Sequence, residues 1–466
     1  MLGRGHQPGR RPVRDPGIGP LPDRRLQRVL SEILGEPHVP NDPGQGGDES
    51  RRLHAPDGIQ HAMDFVVRSR LCHRLGASPR YLVFHRPILA LRGGRDFRTL
   101  SLMSSAPAPR KLVILAEGSF GPHSGKTAYG VIRYGRDEVI AVLDSTKAGQ
   151  NVAAYLPDQD IPILATLDEA LALAARPDAL LLGIAPAGGR LPSSWRAVIL
   201  AAIAAGLDVL SGLHTFIGDD PEFAAPAAAR GTSIIDYRRP PEDLQITSGR
   251  RHGAGKRIIL TVATDCAIGK MSVALELRRA AEAAGDRAVF VATGQTGMMI
   301  EGWGVAVDRL VSDFAQGTIE GLVEQGEGLG DWVIVEGQGS LDHPAYSSVT
   351  LALIHGATPD AMVMVHKPGL EEHDFDRLPG TSFPIASLSP FIALHEQIAG
   401  LVAPSQVVAV ALNTSLIADE SEARRVISEI AAETGLPADD PFRFGPDRMW
   451  SVIRERVDAL PWVADR

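Results

Sequence analysis

What constrains this chain most is a series of short, fully apolar segments, each followed at once by a polar or glycine-rich stretch. "KLVILAEG", "EVIAVLD", "IPILAT", "DALLLGIAP" and "GLDVLSGLH" open the series at Lys111. "RIIL", "RAVFVATGQTG", "DWVIVEGQGSL", "AMVMVHKPG" and "QVVAVALNTS" continue it from Arg257. Strands that are apolar on both faces must be covered on both faces, which is the situation of parallel sheets packed between crossover helices. Helical patterns such as "LDEALALAA", "SWRAVILAAIAAG" and "VALELRRAAEAAG" fall between the runs. The expectation is an α/β chain with two parallel sheets. A Rossmann-like domain spans 103–240, and a P-loop NTPase-like, doubly wound domain spans 257–466. The Pro- and Arg-rich joint between them places a linker at 241–256.

Residues 1–102 read differently. They hold seventeen Arg, no Lys and ten acidic residues, with neither helical nor strand periodicity. Such a stretch reads as a disordered extension or a misassigned start, with Met103 as a second start. A basic targeting segment is the functional alternative, but the apolar core and cleavage site of one are missing. The whole chain carries −9, so the body is more acidic than the total. That excludes a nucleic-acid-wrapping surface as the expectation. The apolar runs are too short to span a membrane. Two cysteines, Cys72 and Cys266, in unlike contexts predict a reducing cytoplasm rather than a disulfide framework.

The stretch from Thr261 to Ser272, "TVATDCAIGKMS", follows a strand and precedes a helix. Strand, tight loop, Gly-Lys and helix are the parts of a phosphate-binding loop. Backbone N–H groups from Ala267 to Met271 and the helix dipole would hold phosphate, and Lys270 adds a point charge. The pattern departs in two places: Thr264 replaces the first glycine, and Met271 replaces the hydroxyl residue, with Ser272 one place late. Without that hydroxyl there is no ligand for the magnesium of a triphosphate. The departures favour a site that grips a diphosphate without cleaving it. The bland alternative is a tight turn with a solvated lysine.

Other strand-end loops carry chemistry. Glu336, beside Gly337 and Gly339, is a magnesium ligand, a general base or a helix-capping carboxylate. Asp342, His343, His366 and Lys367 follow in adjacent loops, in no structural zinc spacing, so no metal is expected. Cys266 is a nucleophile if the helix and lysine lower its pKa, and otherwise a small packing residue. The Gly-rich loop at Gly294 and Gly297 lets backbone approach a ligand, with Met298, Met299 and Trp303 as an apolar wall or core. Asn413 reads an adenine edge or forms a turn. In the first half Asp144 stands where a ribose-binding acid would sit. Arg190 beside Gly188 and Gly189, together with His214 and Asp219, are possible polar contacts.

Taken together, "TDCAIGKMS", "TGQTGMMIEGWGVAVD", "VEGQGSL", "APAGG" and "GLHTF" resemble a two-domain P-loop family that includes the bacterial D-glutamate N-acetyltransferases. Members have often carried a nicotinamide-dependent epimerase label. The resemblance runs from about Lys111 to the C-terminus. It implies an enzyme that moves acetyl from acetyl-CoA to the amino group of D-glutamate in D-amino acid catabolism, with no metal. The resemblance does not itself distribute the roles; for that activity we assign coenzyme anchoring to Thr264, Ala267, Gly269, Lys270, Ser272 and Asn413. Glu336 or His343 is then the base, with Asp265 behind them. Gly294, Gln295, Thr296 and Gly297 become substrate-loop residues and oxyanion donors, and Arg309, Lys367 and Arg190 pair with carboxylates. A homo-oligomer without nucleic-acid or membrane partners is expected. The second domain also resembles dethiobiotin synthetases through "VEGQGSL", so an ATP- and magnesium-dependent ligase or kinase is the alternative. Thr264 and Met271 weigh against it. A non-catalytic nucleotide-binding regulator is a third reading.

Overall fold

The computed structural model describes residues 109–121, 125–184, 189–373 and 380–465; the expected extension at 1–102 and Gly188 lie outside them. The first sheet contains β1 (Lys111–Leu115), β2 (Glu138–Leu143), β3 (Ile163–Leu164), β4 (Ala179–Leu182), β5 (Asp208–Ser211) and β6 (Ile234–Asp236). Every pair is parallel and the order is β3-β2-β1-β4-β5-β6. This is the strand order of a Rossmann sheet. The second sheet contains β7 (Arg257–Ala263), β8 (Ala288–Val291), β9 (Trp332–Val335), β10 (Ala361–His366), β11 (Gln406–Leu412) and β12 (Ala438–Asp439). It too is parallel, in the order β12-β11-β10-β7-β9-β8. Its direction of travel reverses between β7 and β10, which opens a crevice beyond their carboxyl ends.

The strands form as their apolar runs require. β4 and β9 are buried at every position, and β11 at all but its first. One continuous apolar core includes β1, β4 and β5, one face of the second sheet, and the helix Lys270–Ala283. A second core fills the other face of the second sheet.

The two domains meet along the helices Lys126–Tyr134 and Gln295–Glu301. Thr127 and Thr296 share a hydroxyl hydrogen bond of 2.9 Å. A Cβ on Gly130 would lie 3.0 Å from Thr296 Cγ2 and 3.2 Å from Met271 Cε, so only glycine lets the helices come this close without adjustment. Tyr134 donates to Glu276 at 2.7 Å, Arg238 pairs with Asp308, and buried Met299 reaches Gly212. The Met298–Trp303 stretch thus contributes to the core.

The stretch 241–256 has neither helix nor strand, yet it is pinned to the second domain. Thr247 and Ser248 donate to Glu320, and Arg250 and His252 bind Glu327. Asp144 is fully buried and accepts from the backbone N–H groups of Gly118, Phe120 and Thr146. Its carboxylate braces the loop after β1, so it is not placed to read a ribose.

Candidate active site

Between the two domains lies an open cleft of about 1570 Å³, walled by the loops after β1, β7, β8, β9 and β11. Pockets for drug-sized ligands run to roughly 300–1,000 Å³. This cleft is larger than that range.

The loop after β7 forms its floor. Ala267 (φ 57°) and Gly269 (φ 123°) both take left-handed backbone, which turns the chain sharply into the helix Lys270–Ala283. Asn413 clamps this loop from β11 by donating Nδ2 to the carbonyl of Ile268 at 2.9 Å. Phe442 packs over Gly269, 3.5 Å from where a Cβ would stand. Lys270 is buried and donates Nζ to the carbonyl of Asp265 at 2.8 Å. Burial pulls its ammonium down to about 8. Met271 lines the cleft and packs its methyl against Gly130 of the first domain. The place that a magnesium-binding hydroxyl would hold is spent on the contact between domains.

Glu336 stands beside Lys270 at the end of β9 and is 3% exposed. Its Oε2 accepts from the N–H groups of Thr293 (2.9 Å) and Gly294 (3.1 Å). Burial drives the carboxyl up to about 7, against those two donors and Lys270, which lower it. Gly297 makes room for it, since a Cβ there would sit 2.5 Å from Oε2, whereas a Cβ on Gly294 would strike Gln338 Nε2 at 2.4 Å.

Beneath the loop is a buried polar cluster. His373 places Nδ1 2.9 Å from Asp265 Oδ1 and Nε2 3.3 Å from Asp342 Oδ2. Asp265 Oδ1 also accepts the Cys266 N–H at 2.7 Å, and Ser340 donates to Asp342 at 2.6 Å. The ring of His343 lies 5.0 Å from that of His373. Asp265, Cys266 and His343 bring ligand-type atoms within 4.8 Å of one another. The imidazole works against a metal, because His343 Nδ1 accepts the Ala345 N–H at 3.1 Å and the proton of the neutral ring is therefore on Nε2. A metal-ligating histidine ordinarily donates from its second nitrogen.

Of the residues singled out in the sequence, Ala267, Gly269, Lys270, Ser272, Asn413, Gly294, Gln295, Thr296 and Glu336 line the cleft. Gly297 lies just behind Glu336. His214, Cys266, Met271, Gly337 and Gly339 line it too, whereas the following residues stand elsewhere. Thr264 turns its hydroxyl to His366 Nδ1, 3.0 Å away. Asp265 and His343 are wholly buried below the loop rather than at its surface. Arg309 stacks on Phe216, and neither Arg190 nor Lys367 lines the cleft. The Gly294 N–H, expected as an oxyanion donor, is committed to Glu336. Burial raises the Cys266 thiol to about 11, outweighing Lys270, so it is not an activated nucleophile. Other cations line the cleft: Lys126, Arg133 paired with Glu276, and Arg443 after β12, which donates to the carbonyls of Ile417 and Ala418. For Lys126 a signal existed, the Gly-Lys-Thr at 125–127 opening the helix that follows β1.

This combination, a Rossmann-order sheet joined to a P-loop sheet with the ligand cleft between them, defines a two-domain α/β architecture. The chain belongs to the DUF1611 family: the Rossmann-like domain of unknown function DUF1611_N matches residues 145–240, and the P-loop domain DUF1611_C matches 245–450. It is 34% identical over 349 residues to a D-glutamate N-acetyltransferase of Tritonibacter scottomollicae, covering 73% of this chain and 95% of that protein. It is 38% identical over 267 residues to a D-glutamate N-acetyltransferase of a Pseudoalteromonas species, covering 57% of this chain and 78% of that protein. A crystal structure of a DUF1611 family protein from Anabaena variabilis ATCC 29413 superposes with a TM-score of 0.69 at 38% identity. That match covers 74% of this chain and 99% of the other.

Proposed function

We propose that this protein is an N-acetyltransferase that moves acetyl from acetyl-CoA to the amino group of D-glutamate, in the cytoplasm, as a step of D-amino acid catabolism. The observation that carries this reading is Glu336. It is a carboxylate held near pH 7 at the wall of the cleft, beside a phosphate loop whose hydroxyl position has been given to Met271. A base poised near neutrality suits removal of a proton from an ammonium. A cradle without a magnesium hydroxyl suits an anchor rather than a hydrolytic site. The names of the two curated relatives point the same way.

In this reading Ala267, Gly269, Lys270 and Ser272 grip the coenzyme diphosphate. Glu336 takes the amine proton. The amine nitrogen then attacks the thioester carbonyl, the C–N bond forms and the C–S bond breaks; Glu336 passes its proton to the departing thiolate, and the nitrogen sheds its second proton through Glu336 to solvent. Oxyanion donors come from the first turn of the helix Gln295–Glu301 and the Gln338 amide, because the Gly294 N–H is already engaged. No metal enters the scheme, and a homo-oligomer without nucleic-acid or membrane partners belongs to the same proposal. Among the described residues no helix is long and apolar enough to cross a membrane.

The test is a panel of D- and L-amino acids with acetyl-CoA, with and without ATP and magnesium, read by mass spectrometry. The expected product is N-acetyl-D-glutamate formed without ATP. An absolute requirement for ATP and magnesium would replace this reading with a ligase.

A further inference from the structure

We propose that the anion site of this protein is composite: Lys126 of the Rossmann-like domain and Lys270 of the P-loop domain hold the same diphosphate from opposite walls of the cleft. The identity of that diphosphate as coenzyme A rests on the function proposed above; the two-lysine site itself does not.

Three observations carry it. Lys126 follows β1 in a Gly-Lys-Thr sequence and lines the same cleft as Lys270, its side chain exposed while its neighbours Gly125 and Thr127 are buried. The first domain thus presents a lysine at a helix start, opposite a loop that has its own lysine and whose hydroxyl stands one place late, at Ser272. The positions of the two lysines are also fixed to each other. Thr127, next to Lys126, is bonded to Thr296, and Met271, next to Lys270, packs on Gly130 one turn beyond Lys126. The residue that breaks the phosphate-loop pattern is the spacer that sets the two lysine-bearing helices together. Finally, the two charges already feel one another. Burial does most to depress the Lys270 ammonium, and the positive charge of Lys126 adds to it and acts on Cys266 as well. The carboxylates of Asp265 and Glu336 pull the Lys270 ammonium the other way.

Calorimetric titration of the full chain with inorganic pyrophosphate, and separately with coenzyme A, tests this. Lys126→Gln should weaken both ligands by about tenfold or more, and Lys126→Arg should retain most of the affinity. Gly130→Val, which alters no charge but pushes on Met271 and Thr296, should weaken pyrophosphate too, with the folded state checked by circular dichroism. Unchanged affinity in Lys126→Gln overturns the proposal. So does a Lys126→Gln protein that differs only in the KM of its amino-acid acceptor, or a wild-type protein that binds neither ligand. Pyrophosphate binding that depends on Lys126, in a protein that forms no N-acetyl amino acid, upholds the composite site and removes acetyl transfer instead.

Discussion

Glu336 and Lys270 are displaced toward neutrality by the same cause, burial, and each therefore leaves a signature in pH. The Glu336 carboxyl is raised to about 7, so its basic form grows as pH climbs through 7. In the proposed reaction kcat/KM should rise across that range and level off above it. Glu336→Gln should lower kcat by about 10²-fold or more and flatten the rise. The same shift has a stability sign. An acid whose folded pKa lies above its unfolded value loses stability as pH rises from about 4.5 to about 7. Urea denaturation should show Glu336→Gln gaining on the wild type between pH 5 and pH 8. Lys270 is the mirror case. Its ammonium, lowered to about 8, costs stability below that pH and is relieved as pH rises toward 10.5. Lys270→Met should melt higher than the wild type at pH 7 while losing pyrophosphate affinity, a trade of stability for function. If Lys270→Met melts lower, the lysine is better solvated than its burial states.

At the scale of elements, the sheets were legible and much of the site was not. Parallel strands buried on both faces spell themselves out as apolar runs, so β4, β9 and β11 stand where the sequence places them. Glu336 and the loop before Lys270 were legible for a related reason, since polar residues just past such runs meet at one edge of the sheet. His373 was not. Its partner Asp265 is 108 residues away, and no local pattern announces a bond between two loops. Arg190 and Arg309 misled because charge alone does not say which way a long side chain turns; Arg309 prefers the ring of Phe216. Glycines mark the tightest joints. A Cβ on Gly337, in the turn after β9, would lie 1.7 Å from the Thr261 carbonyl oxygen and 3.0 Å from Lys270 Cδ. Gly337→Ala should cost about 3 kcal/mol or more in urea denaturation, because backbone must move to admit the methyl.

At the scale of the molecule, the two sheets share an apolar core, and polar contacts lock its margin. Tyr134→Phe removes the hydroxyl that reaches Glu276 across the domain boundary, and should cost about 1–2 kcal/mol while the protein still unfolds in a single transition. Two separated melting steps would show that the halves are independent. A seam made of core is a poor hinge. Among the described residues the two halves are therefore joined by core rather than by a hinge, and visitors reach the cleft through its open mouth. The radius of gyration from small-angle scattering should stay the same whether the cleft is empty or filled.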